Sequence, residues 1–189
     1  LNPYEQWEKT VRYAVGEELE FVISNTTEAG IEFVEEDFVP GHCQKTYPAK
    51  LTSLLYARYN AFSGAKDKGI TVIPCELIDR NGDNLKKCVL EYAHYWNLGD
   101  GFEEWINSAC AFLNTLVDRI VPGYPREEAQ ALADERGYAD NIADTGEIFH
   151  FWVIEGDKKY AERLPFHKAG LNVLWTDDME PYRTRKVRI

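Results

Sequence analysis

Three short apolar runs, separated by stretches of helical periodicity, constrain this chain more than any other feature. Leu19-Glu20-Phe21-Val22-Ile23-Ser24 opens into the polar stretch Asn25-Thr26-Thr27-Glu28-Ala29-Gly30. Gly69-Ile70-Thr71-Val72-Ile73-Pro74 stops at its proline, and Leu116-Val117-Asp118-Arg119-Ile120-Val121 stops at Pro122-Gly123. Runs of this length bounded by turn residues read as buried strands. Between the first two, Thr46 can cap a helix over Pro48 to Phe62, with Leu51, Leu54, Leu55, Arg58, Tyr59 and Phe62 at helical spacing. Between the second and third, helices are predicted over about Asn84 to Trp96 (Leu85, Cys88, Val89, Tyr92 and Trp96 apolar) and about Phe102 to Leu113. Strand, helix, strand, helix, strand is the order of an α/β fold, a parallel sheet with covering helices. After Pro125 the pattern predicts a charged helix over Arg126 to Arg136, strands over Ile148 to Ile154 and Leu171 to Trp175, and a helix opening near Met179.

Composition narrows the function classes. With 44% hydrophobic and 13% aromatic residues in 189, the chain has ample material for a folded core. Its formal net charge of -11 argues against non-specific binding to nucleic acid or to an anionic membrane surface. No apolar run approaches the roughly 20 residues of a membrane helix. Cys43, Cys75, Cys88 and Cys110 are widely spread, with neither CxxC nor zinc spacing, which reads as reduced thiols in a cytoplasmic protein and no metal. Asp79-Arg80-Asn81-Gly82-Asp83 begins like a calcium loop, but Leu90 stands where the ligating Glu belongs, so it reads as a turn before a helix. Neither a GxGxxG nor a GxxxxGK[ST] phosphate loop occurs.

In parallel sheets ligands bind beyond the carboxyl ends of the strands. That directs attention to Asn25, Thr26, Thr27 and Glu28, to Cys75 and Glu76, and to Asp118 with Arg119. The polar loop is either a ligand loop or plain turn chemistry. An Asp-Arg pair inside an apolar run needs compensation, because desolvating ions costs several kcal/mol. It is either a structural salt bridge or an active-site carboxylate. Four cations crowd the last seven residues, Arg183-Thr184-Arg185-Lys186-Val187-Arg188-Ile189. Like charges push a lysine toward its neutral form, so Lys186 is either a general base or part of a solvated basic helix face.

Phe21 to Gly30, then Pro74-Cys75-Glu76-Leu77-Ile78 with Asn81-Gly82, then Asn114-Thr115-Leu116-Val117-Asp118-Arg119-Ile120-Val121-Pro122 resemble successive blocks of the mannitol dehydrogenase family of long-chain polyol and sugar-acid dehydrogenases. The stretches Leu164 to Val173 and Pro181 to Ile189 resemble its sugar-acid branch. The resemblance implies the second half of a Rossmann-type parallel sheet over residues 1–176, the start of a helical C-terminal domain over 177–189, and a chain that is part of a longer protein. It also implies NAD as cofactor and reversible hydride transfer between NADH and the keto group of a hexuronate. Lys186 is then the catalytic acid/base, assisted by Asp118, with an Asn and a His expected five and eight positions after that Lys. Asn25, Thr26, Thr27 and Glu28 match the cofactor loop. Glu76 falls in the substrate-contacting block, but Leu77 replaces the Asn of mannitol dehydrogenases proper, which disfavours mannitol. Arg183 or Arg188 is the expected partner of a sugar-acid carboxylate. Fructuronate and mannitol or its phosphate are the sister substrates. A non-catalytic binding or assembly module, dimerising through exposed apolar faces, is the reading from another class.

Overall fold

The computed structural model describes residues 1–187, with side chains through Arg185. α1 (Trp7–Ala14) is followed by β1 (Phe21–Ser24), α2 (Tyr47–Ala61), β2 (Thr71–Pro74), α3 (Asn81–Tyr95), α4 (Asp100–Ser108) and β3 (Ala111–Phe112). Then come β4 (Asn114–Asp118), α5 (Ala129–Arg136), β5 (Phe151–Glu155), α6 (Lys158–Arg163), β6 (Val173–Thr176) and α7 (Glu180–Val187). β1, β2 and β3 form a parallel sheet in that order, and β4, β5 and β6 form a second sheet in which β4 and β5 are antiparallel and β5 and β6 parallel.

β2 is buried along its whole length. Its alternating side chains feed two cores. Val72 packs with Leu51, Leu55, Leu85, Val89, Phe102 and Ile106 from the helices, while Ile73 packs on the other face with Leu113 and Ile154.

The helix predicted to run to Leu113 ends at Ser108, because Ala111 and Leu113 turn their amides to the carbonyls of Ile70 and Val72 and complete the parallel sheet. The third parallel strand is therefore β3. The run predicted for that place is the next strand, β4, and it stops at Asp118, leaving Arg119, Ile120 and Val121 exposed. Arg119 is exposed and Asp118 only half-buried, so the pair needs no compensating salt bridge; Arg119 donates from Nε to the Glu147 carbonyl at 3.1 Å.

α3 begins at Asn81, three residues before its predicted start. Its first amides are capped by Asn81 itself, whose Oδ1 accepts from Gly82 N at 2.9 Å, and by Asn114 Oδ1, which accepts from Asp83 N at 3.1 Å. This helix end presses against the β3–β4 junction, where a Cβ on Gly82 would stand 2.6 Å from the Leu113 carbonyl.

Arg58, on the predicted apolar face of α2, is only 2% exposed. Its guanidinium donates to four backbone carbonyls: Lys68 (2.6 Å), Ala14 (2.8 Å), Gly16 (2.7 Å) and Leu19 (3.1 Å). Burial holds its pKa below the usual arginine range. The side chain staples the end of α1 and the entry to β1 onto α2.

Candidate active site

Only Leu113 separates β3 from β4, so β4 carries on past the carboxyl edge of the parallel sheet and forms a wall beyond it. Thr115 Oγ1 donates to the Pro74 carbonyl at 2.5 Å. The fully buried Asn81 amide ties the same corner, donating to the carbonyls of Pro74 and Glu76 and accepting from Thr115 N at 2.8 Å. Against this wall, the loop after β2, Glu155 at the end of β5 and the turn into α7 enclose a cavity of about 690 Å³. It sits where parallel sheets bind ligands.

The cavity wall includes the carboxylates Glu76, Asp79, Glu155, Asp178 and Glu180, and the guanidiniums Arg80 and Arg183. Glu76 is 2% exposed. Its Oε2 accepts from Ser24 Oγ at 3.1 Å, and its Oε1 accepts from Thr26 N at 3.1 Å and Thr26 Oγ1 at 3.0 Å. Both oxygens are thus committed, one to Ser24 at the end of β1 and one to Thr26 in the Asn25–Glu28 loop, whose four residues are exposed. Burial, with the Glu76 charge adding to it, pushes the neighbouring Cys75 thiol up to about 12. That thiol is neutral at physiological pH and is no nucleophile. Glu76→Ala should strand the buried Ser24 hydroxyl and release Thr26 to solvent, at a cost of about 1–3 kcal/mol. Thermal unfolding together with faster hydrogen exchange at Thr26 would register it; unchanged protection at Thr26 would contradict the clamp.

Arg183 donates from NH1 to Asp79 at 2.6 Å and pairs through Nε with Glu180 at 3.3 Å. Arg80 pairs with Asp83 at 2.5 Å. Sequence reasoning assigned no role to Asp79, Asn114 or Glu155, although Asn114 sits at the centre of one network. Its Nδ2 donates to Glu155 Oε2 at 2.9 Å and Asp83 Oδ2 at 3.2 Å, while Glu155 Oε1 accepts from Met179 N at 3.3 Å. The available signal was two polar residues, Asn114 and Thr115, immediately before an apolar run.

α7 starts at the Glu155 end of β5 and passes Phe151 at the other end, whose ring lies 6.3 Å from that of Tyr182. Phe151 is the register partner of Asp118. Tyr182 thus brings α7 near the strand end that pairs with Asp118. Asp118 is half-buried, with no ion pair to a described side chain. The side chain of Lys186 and all of Arg188 lie outside the described residues. Among the described residues, no three His, Cys, Asp or Glu side chains are grouped so as to hold a metal, and no helix is long and apolar enough to cross a membrane.

Residues 3–168 match the mannitol dehydrogenase Rossmann domain. The chain belongs to the mannitol dehydrogenase family. All 189 residues align with altronate oxidoreductases of Enterobacter sp. (strain 638) at 50% identity and Bacillus subtilis (strain 168) at 48%, in each case covering 39% of the relative. The altronate oxidoreductase of Phocaeicola vulgatus is 47% identical, with 40% covered. The chain thus spans about two fifths of the length of these curated relatives. Among solved structures, a D-sorbitol dehydrogenase in substrate-free form superposes with a TM-score of 0.70 at 23% identity, over 95% of this chain and 38% of that one. Pseudomonas fluorescens mannitol 2-dehydrogenase, solved as a ternary complex with NAD and D-mannitol, gives 0.68 at 24%, over 94% and 37%. These two likenesses establish the Rossmann-type fold of the mannitol dehydrogenase family member described above, and the parallel sheet with covering helices is that fold.

Proposed function

We propose that this chain is the cofactor-side part of an NAD-dependent hexuronate oxidoreductase that interconverts tagaturonate and altronate. The observation that carries the proposal is 47–50% identity, along every residue of the chain, to proteins named altronate oxidoreductase. The reading places the protein in the cytoplasm and makes residues 177–189 the start of a second, substrate-side domain.

The residues at the carboxyl edge suit one half of the dinucleotide. The exposed Asn25 amide, Thr27 hydroxyl and Glu28 carboxylate offer donors and acceptors to an uncharged carboxamide and to ribose hydroxyls, on a loop that Glu76 fixes in place. NADH, when bound, supplies the hydride that reduces the keto carbon. Lys186, as its ammonium, gives the proton to the carbonyl oxygen, and in the oxidising direction the neutral amine takes it back. Asp118 favours the charged form of that lysine. The nearness of Tyr182, on α7, to Phe151, the register partner of Asp118, supports this pairing. Arg183, on the cavity wall, is the described candidate for the sugar-acid carboxylate, and Arg188 is the other.

The test is NADH oxidation by a polypeptide spanning the full length of the relatives, offered tagaturonate, fructuronate, fructose and fructose 6-phosphate in parallel. A kcat/KM for tagaturonate at least tenfold above the others is expected. Preference for fructuronate or a neutral ketose would replace the substrate, and no NADH oxidation with any of them would remove the reading.

A further inference from the structure

The charge around the cavity conflicts with the substrate just proposed. Five carboxylates and two guanidiniums line it, and both guanidiniums are already paired: Arg80 with Asp83, and Arg183 with Asp79 and Glu180. Arg183 with its two carboxylate partners carries a local charge of −1. A sugar-acid carboxylate approaching this arrangement meets repulsion rather than an open fork. An incoming anion therefore competes with the carboxylates already on Arg183.

The two partners are not equivalent. Glu180 stands on α7 three residues before Arg183 and moves with it. Asp79 belongs to the loop after β2, 104 residues away in the chain, and its contact joins that loop to α7 across the cavity wall. It is also the shorter contact, at 2.6 Å against 3.3 Å. Both side chains of this pair are partly exposed, so water can take over Asp79 when it is released.

We infer that Asp79 is an internal competitor for Arg183: it occupies the guanidinium in the free protein and exchanges with the carboxylate of the sugar acid when substrate binds. The inference rests on the hexuronate reading for the identity of the anion. It adds Asp79 as a specificity-determining residue. The exchange lowers affinity for every carboxylate ligand, and a neutral polyol that makes no use of Arg183 avoids that cost. Because the pair is exposed, it is worth about a two- to fivefold shift in an equilibrium and is weakened by salt.

The experiment is an isothermal titration of the full-length protein with D-gluconate, an aldonate, and with sorbitol, its neutral counterpart, in wild type, Asp79→Asn and Arg183→Gln, without NAD and therefore without turnover. Asp79→Asn should bind gluconate about two- to fivefold more tightly at low salt, with the gain shrinking as salt rises, while sorbitol binding stays where it was. Arg183→Gln should remove the difference between gluconate and sorbitol. KM for tagaturonate should fall in Asp79→Asn by the same factor as the gluconate Kd. Equal or weaker gluconate binding in Asp79→Asn would overturn the exchange, as would gluconate binding that ignores Arg183 or is undetectable in all three proteins. Tagaturonate turnover with no response to Asp79→Asn would sink the exchange and leave the hexuronate reading intact. Tighter gluconate binding in a protein that does not turn over tagaturonate would do the reverse.

Discussion

Replacing Lys186 by alanine in the full-length protein is expected to lower kcat for tagaturonate reduction by about 10²- to 10⁴-fold, the range in which a positioned general acid or base contributes. Lys186 follows Arg183 by three residues in α7, and the Tyr182 ring of that helix lies 6.3 Å from the ring of Phe151, the register partner of Asp118. The direction of the pH dependence follows from the roles. Reduction uses the ammonium, so its rate should fall as pH rises through the lysine pKa; oxidation uses the free amine, so its rate should rise there. In the proposed pairing the Asp118 carboxylate would favour the charged lysine and the neighbouring arginines would disfavour it. Asp118→Asn should therefore shift both limbs to lower pH. The deciding measurement is the pair of pH–rate profiles for the two directions in wild type and both variants. Activity of Lys186→Ala within fivefold of wild type, with both limbs retained, would remove the lysine from the chemistry.

The second large effect is on stability. Arg58→Met should destabilise the protein by about 3–5 kcal/mol, because several buried or part-buried carbonyls lose their donor at once and each such loss costs about 1–3 kcal/mol before relaxation. The side chain is 2% exposed and makes four hydrogen bonds, all to carbonyl oxygens. Methionine keeps most of the volume and can still lie against the Phe62 ring. It leaves the carbonyls of Ala14, Gly16, Leu19 and Lys68 without their donor. At about 2–4 °C per kcal/mol for a chain of this size, Tm should drop by about 10 °C. Arg58→Lys should recover only part of the loss, because one ammonium cannot reach four carbonyls arranged around a planar fork. A Tm within 2 °C of wild type for Arg58→Met would show that water satisfies these carbonyls equally well.

The strands that position the site were legible because their signal is local. Val72 and Ile73 stand side by side in an apolar run, and such a run is what a strand buried on both faces requires. The Thr46 cap placed the start of α2 correctly because cap and helix adjoin in sequence. The start of α3 was not legible, since one of its caps is Asn114, 31 residues away, and its closeness to the β3–β4 junction depends on Gly82 meeting Leu113. β3 was hidden inside what read as the end of a helix. Ala111-Phe112-Leu113 is short enough to suit either period, and only pairing with β2 decides it. In the candidate site, sequence and resemblance found Glu76 and Arg183 but not what surrounds them. That Glu76 spends both oxygens on Ser24 and Thr26, and that Arg183 is held by Asp79, are facts of tertiary placement with no trace in local composition.

The direct passage of β3 into β4 has a consequence for how the molecule comes apart. Residues 111–118 are registered against β2 at one end and against β5 at the other, with Leu113 as the only residue between. A one-residue slip in this stretch would turn Leu113 out of the core it shares with Ile73 and Ile154, and would mispair both sheets at once. The two sheets are therefore expected to open together, and hydrogen exchange should place their slowest amides in a single protected class.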